Sequence, residues 1–267
     1  MHRLPRQAAR GFSIIEMLVA MTIAMVLTVV ISQLFLTSKQ TYGTQEEQAR
    51  MQENGRFALE LLARELRQAG FKQAESTGTF TSAAPAISVT NDAGTNSSDE
   101  FTVRFFGSDG PTAGTSDNTV TNCIGTGATR NTMSVDRFYI NNNASGEPAL
   151  FCDAGGTATE LVSNVESMQV LLGEDTDGDK TADRYVRPGS GGLNMDNVVA
   201  VRLSLLLRTA NDAASENDAK TYQHFGTDYN ASGLGDGGAE FKLPTASPDK
   251  RIRRLYQATV TLRNRTN

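Results

Sequence analysis

An α+β fold, with one long N-terminal helix packed on an antiparallel β-sheet, is what three features of this 267-residue sequence predict. Residues 17–38 carry no charge, and no proline stands between Arg6 and Ala84, so a helix begun there has no reason to stop before Phe71. Beyond Phe71 the apolar residues change to period two, the pattern of strands with one buried face. Between those runs stand most of the 24 glycines, mixed with Asn, Asp, Ser and Thr, as turn-rich β structure requires.

The helix has two halves. Residues 17–38 are 22 in number and span roughly 33 Å as a helix, close to a bilayer core. Arg3, Arg6 and Arg10 precede them and hold the short N-terminal end in the cytoplasm by the positive-inside rule, which places everything after Lys39 outside. No small-residue cleavage site follows the apolar run, so it does not read as an ordinary secretory signal. The outer half carries Ala58, Leu62, Leu66 and Ala69 at helical spacing, with Phe57 and Leu61 beside them, an apolar stripe that needs a partner. Glu46 with Arg50 and Glu60 with Arg64 are i,i+4 pairs in the favourable order. Gly43 and Gly55 each weaken the helix by up to about 1 kcal/mol relative to alanine. Glu16 is the anomaly, because a carboxylate at mid-bilayer costs about 2.5–3.5 kcal/mol and implies a partner.

Strands are expected over 101–105, 135–140, 162–172, 184–187, 199–207 and 255–262. No crossover helices separate them, so the sheet is antiparallel and lies on the apolar stripe. The polar stretches 76–98 and 209–238 read as mobile surface loops, or as segments that order against a neighbouring subunit. Gly233, Gly235 and Gly238 imitate a dinucleotide fingerprint without the strand before or helix after that it needs.

A formal charge of −5 lacks the basic footprint of a nucleic-acid binder. Cys123 and Cys152 have no CxxC and no His cluster, which disfavours zinc and leaves a disulfide or two reduced thiols; a disulfide would imply an oxidising compartment such as the periplasm. Asp175, Asp177, Asp179 and Asp183 occupy positions one, three, five and nine of a calcium-type loop, the spacing that gathers hard oxygen ligands. Lys180 stands where the loop glycine belongs and Val186 where the bidentate glutamate belongs, so a solvated acidic turn between two strands competes with weak calcium binding. His224 beside Tyr222 and Phe225 reads as a surface or satisfied histidine rather than a general base, and no GxSxG, HExxH or P-loop occurs. The expectation is a non-enzyme without a cofactor.

Arg10-Gly11-Phe12-Ser13-Ile14-Ile15-Glu16 resembles the N-terminal signal of type IV pilins and pseudopilins. The resemblance implies cleavage by a prepilin peptidase after Gly11, methylation of Phe12 as the new N-terminus, and an assembly role for the Glu16 carboxylate. The stretches 52–59, 63–71, 165–170 and 253–256 are similar to the PilW family of minor pilins. Gln33 stands where many major pilins carry a helix-kinking proline, which favours a minor subunit. The implied organisation is a leader over 1–11, a helix over 12–71 whose part 12–38 is the membrane span and later the filament core, and a β-rich periplasmic body over 72–267. The implied function is that of a minor pilin with a pilin-like fold, active in priming pilus assembly, twitching motility and adhesion. Before assembly it resides in the inner membrane, and afterwards in the pilus at the cell surface. Its implied partners are the prepilin peptidase, other minor and major pilins, and a tip adhesin. The alternatives are a minor pseudopilin of type II secretion and a membrane-anchored, calcium-responsive binding module.

Overall fold

The computed structural model describes residues 11–231, 233, 235–244 and 248–265. The expected leader residues 1–10, with Arg3, Arg6 and Arg10, lie outside the described residues. Two compact units divide the chain at Glu46. Helix α1 (Ile14–Gln68) supplies the described helix of the first unit and continues into the second. It ends because Gly70 adopts φ 76°, a left-handed conformation suited to glycine, and the Phe71 amide then donates to the Gln68 carbonyl at 2.8 Å.

Within the second unit α1 buries Met51, Gly55, Ala58, Leu62, Ala63, Glu65 and Leu66. The expected stripe is the packed face, with one exception: Phe57 is 51% exposed. Gly55 is required by packing, since a Cβ there would lie 2.8 Å from three ring atoms of Tyr256. The expected Glu60–Arg64 pair is replaced by Arg56–Glu60 at 3.4 Å, while Arg64 turns to the neighbouring Glu65.

The strands divide into three antiparallel sheets rather than one. The first holds β1 (Ile87–Thr90), β2 (Glu100–Phe106), β3 (Met133–Asn142), β4 (Pro148–Ala154) and β5 (Thr157–Ser163), in that order. The second holds β6 (Val165–Glu174), β7 (Arg184–Val186), β8 (Val198–Arg208) and β11 (Arg253–Thr261), in the order β11-β8-β6-β7. A hairpin of β9 (Thr221–Gln223) and β10 (Glu240–Lys242) flanks the short helix α2 (Thr227–Ala231). The expected strand over 162–172 is two strands. Asn164, with φ 62°, turns the chain from β5 in one sheet to β6 in the other. Every residue of β6 is buried, so this strand lies at the centre of the body.

The stretch 76–98 contains β1, and 209–238 contains β9 and α2, so neither is a structureless loop. The Gly-rich segment is pinned at its end: Ala239 is fully buried, and a Cβ on Gly238 would fall 2.0 Å from the Ser97 carbonyl oxygen. One hydrophobic cluster joins the outer face of α1 to both large sheets, through Leu62, Leu66, Phe101, Phe138, Met168 and Leu203 among others.

Candidate functional site

The first unit presents its side chains outward. Phe12 is 92% exposed, and every residue from Gly11 to Tyr42 is exposed. An 18-residue window of α1 reaches a mean hydropathy of 2.6, long and apolar enough to cross a membrane. The polar groups inside that stretch are satisfied locally: the hydroxyls of Thr22, Thr28 and Ser32 donate to the carbonyls of Val19, Ala24 and Thr28, each at 2.8 Å.

Glu16 is engaged at the helix start. Its Oε2 accepts the Ser13 amide at 2.9 Å, while Ser13 Oγ accepts the Ile15 amide at 3.2 Å. This is the reciprocal capping arrangement of a Ser-x-x-Glu sequence, and it supplies acceptors for two amides that the helix itself leaves open. Ser13-Ile14-Ile15-Glu16 carried that signal, but only the glutamate was singled out.

Cys123 and Cys152 form a disulfide. It stitches the long β2–β3 connection to β4, and beside it the Cys123 amide donates to Oδ2 of Asp136 at 2.8 Å. Asp136 is fully buried on β3, and its Oδ1 has no partner among the described residues. Burial pushes its carboxyl up to about 7; the Cys123 amide opposes this and the nearby Glu65 adds to it.

The structure brings together Asp175, Asp177 and Asp183, with carboxylate oxygens within 4.8 Å of one another, but not Asp179. Asp179 instead accepts the Thr181 amide at 2.7 Å. Asp175 accepts three amides, from Asp177, Gly178 and Lys180, at 3.2, 2.6 and 2.8 Å. Lys180 takes φ 70°, the left-handed conformation for which the loop glycine is otherwise used. Asp183 accepts both the amide and the hydroxyl of Thr176 at 2.7 Å, which hold its carboxyl below the usual range. The loop is a chain of such turns, held by its own backbone amides.

His224 is fully buried, not at the surface. Its Nδ1 lies 3.0 Å from Ser204 Oγ, and burial pushes its pKa down to about 4, so the ring is neutral and sealed from solvent. Glu47 accepts the Ala210 amide at 3.1 Å and the Asn211 side-chain amide at 2.8 Å.

Residues 137–264 match the family described as Type IV Pilus-assembly protein W, and residues 6–32 match the prokaryotic N-terminal methylation motif. These two matches support a type IV minor pilin of the PilW family. A solved type IV-like pilin from Thermus thermophilus, TTHA1219, is 16% identical to this chain, with a TM-score of 0.46, over 82% of this chain and 98% of that one. None of the curated proteins matches the chain.

The PilW-matched region contains an ion network that the sequence pattern did not disclose. The Arg253 side chain is wholly buried, with Nε 2.5 Å from Glu166 Oε2 and Nη2 3.1 Å from Oε1, and it also reaches Asp218 at 3.1 Å and Asp249 at 2.7 Å. Arg208 adds Glu166 and Glu147, and Arg251 also pairs with Glu147. The network ties β6, β8 and β11 to the 209–218 and 249–251 segments. Its pairs are up to 104 residues apart, beyond the reach of local spacing.

Proposed function

We propose that this PilW-family pilin helps to prime type IV pilus assembly. Residues 1–11 form a leader that a prepilin peptidase removes between Gly11 and Phe12, and the new Phe12 amine is methylated. Residues 12–38 hold the subunit in the inner membrane, and residues 72–267 form its periplasmic body until it enters a filament exposed at the cell surface. The observation that carries this reading is the methylation motif over 6–32, whose part from Ile14 onward lies on α1, where every apolar side chain up to residue 32 is exposed and Glu16 is the one carboxylate. Such a surface needs lipid or other helices around it. The Cys123–Cys152 disulfide agrees with an oxidising compartment.

The mechanism is an exchange of partners at Glu16. In the single subunit its carboxylate caps its own helix through Ser13. In the apolar interior of a fibre an unpaired carboxylate and an unpaired amine would each be costly, so Glu16 takes the Phe12 amine of a neighbour and selects the register in which both are paired. The body then meets other minor and major pilins or a tip adhesin, and through them serves twitching motility and adhesion.

Intact mass of the membrane-extracted protein, made with and without a prepilin peptidase, tests the reading. Loss of residues 1–11 with one added methyl, only when the peptidase is present, is the expected result. An uncleaved chain refutes it. Glu16→Ala leaves insertion and cleavage intact and removes the subunit from filaments; wild-type incorporation would refute the pairing. Failed protein secretion with intact pili on deletion would assign the subunit to a type II secretion machine instead.

A further inference from the structure

At the C-terminal end of α1 lies a cleft of about 420 Å³ lined by three arginines, Arg64, Arg67 and Arg263, with Phe71 and Val120 as apolar neighbours. No aspartate or glutamate is among its described lining residues, in a chain whose formal charge is −5. Positive charge is thus concentrated at one place against the sign of the whole molecule.

Arginines near a helix C-terminus commonly answer its open carbonyls. Here those carbonyls are already occupied. Leu66 accepts from the Ala69 amide at 3.1 Å and Gln68 from the Phe71 amide at 2.8 Å. Asn264 Nδ2 donates to the carbonyls of Arg67 and Ala69 at 3.0 and 3.1 Å. The helix end neither needs the guanidiniums nor presents bare carbonyl charge to the cleft. Arg64 gives Nε and Nη2 to the buried Glu65 at 3.0 and 2.6 Å, which fixes the plane of its guanidinium. Arg67 is exposed, and its guanidinium has no partner among the described residues. Two arginines three residues apart on one helix face, met by a third from the turn Arg263–Arg265, form a fork suited to planar carboxylates.

We propose that this cleft is a docking site for an acidic peptide segment of a partner protein. Carboxylates of the segment engage Arg67 and Arg263, and its aliphatic parts cover Phe71 and Val120. The volume lies in the range of clefts that take small ligands, about 300–1,000 Å³, and suits a few side chains rather than a domain. The proposal goes beyond the role in assembly and does not depend on filament entry.

The test uses the purified full chain in detergent and a fluorescein-labelled hexaglutamate peptide, with hexalysine as the opposite-charge probe. Saturable binding of hexaglutamate alone is expected, weakening about tenfold in Arg67→Glu and again in Arg263→Glu, and falling as salt rises. Lys242→Glu, an exposed lysine on β10, leaves binding unchanged. Arg67→Gln removes the charge at an exposed position without disturbing a pair, so a weakened interaction there, with an unchanged thermal unfolding curve, separates docking from misfolding. Equal binding by wild type and both Arg67 variants overturns the proposal. So does full displacement of the peptide by inorganic phosphate at submillimolar concentration, which would make the cleft a small-anion site.

Discussion

Replacing Asp136 by asparagine should make the protein more stable, and more so as pH rises. Asp136 is fully buried, one oxygen accepts the Cys123 amide, and the other has no partner among the described residues. Asparagine keeps the acceptor, and removes a charge that burial and the nearby Glu65 both disfavour. The sign follows from the raised carboxyl. Its pKa is 3.8 ordinarily and about 7 in the fold, so the native state binds more protons than the unfolded state between those values. This contribution to stability is fully present below about pH 4 and is lost as pH rises through 7. At about 1.4 kcal/mol per pH unit, tapering off around pH 7, the loss between pH 5 and 8 is about 3 kcal/mol for the native aspartate, and the asparagine variant is spared it. Urea unfolding of the oxidised chain from Glu47 onward, at pH 5 and pH 8, measures the difference. The variant should gain on the wild type by an amount of that order between the two pH values. An equal pH dependence in the two proteins, or a variant less stable at pH 8, would refute the reasoning.

Gly55→Ala should destabilise by about 1–2 kcal/mol despite alanine's helix preference, because the new methyl meets the Tyr256 ring at 2.8 Å; thermal unfolding followed by circular dichroism reads this. Gly43→Ala, with nothing within 4 Å of the added methyl, should raise helix stability by up to about 1 kcal/mol in the same assay. Removing the disulfide as a Cys123→Ala, Cys152→Ala double variant should lower stability by about 3–4 kcal/mol, with reductant moving the unfolding midpoint of the wild type but not of the variant. Calorimetry with calcium at millimolar concentration should give no saturable heat, since Asp175 already accepts three backbone amides; heat that disappears in Asp177→Asn would show that the loop exchanges those amides for an ion.

What the sequence disclosed follows from the range of each interaction. The helix was legible because an uncharged run and an absence of proline are local properties, and β2, β8 and β11 because their alternation lasts long enough to register. β9 and β10, at three residues each, are too short to show a period, and β4 hides its strand in a continuous apolar run opened by Pro148. Asp136 was legible in principle: it shares the period-two face of Phe138 and Ile140, and all three are buried. The cysteine pair was one of two readings, and the disulfide is the one found. Glu166 and Arg253, 87 residues apart, gave no spacing to read, and Glu47 gave no hint of Asn211. At the candidate site, Glu16 stood out by its charge in apolar surroundings, whereas Ser13 drew no notice although the pair forms one short motif.

The seating of α1 has a consequence for how the protein is made. The helix leaves the ribosome before any strand of the body, yet its packed face and its final carbonyls are completed by residues about 200 positions later, Tyr256 on Gly55 and Asn264 on Arg67 and Ala69. β11, which carries Tyr256, also closes the edge of the sheet beside β8. Synthesis therefore cannot close the body progressively from α1 onward; the chain must be made through Asn264 before both contacts on the helix can form. A nascent chain halted before β11 would present that helix end, and the outer edge of β8, to the chaperones and proteases around it.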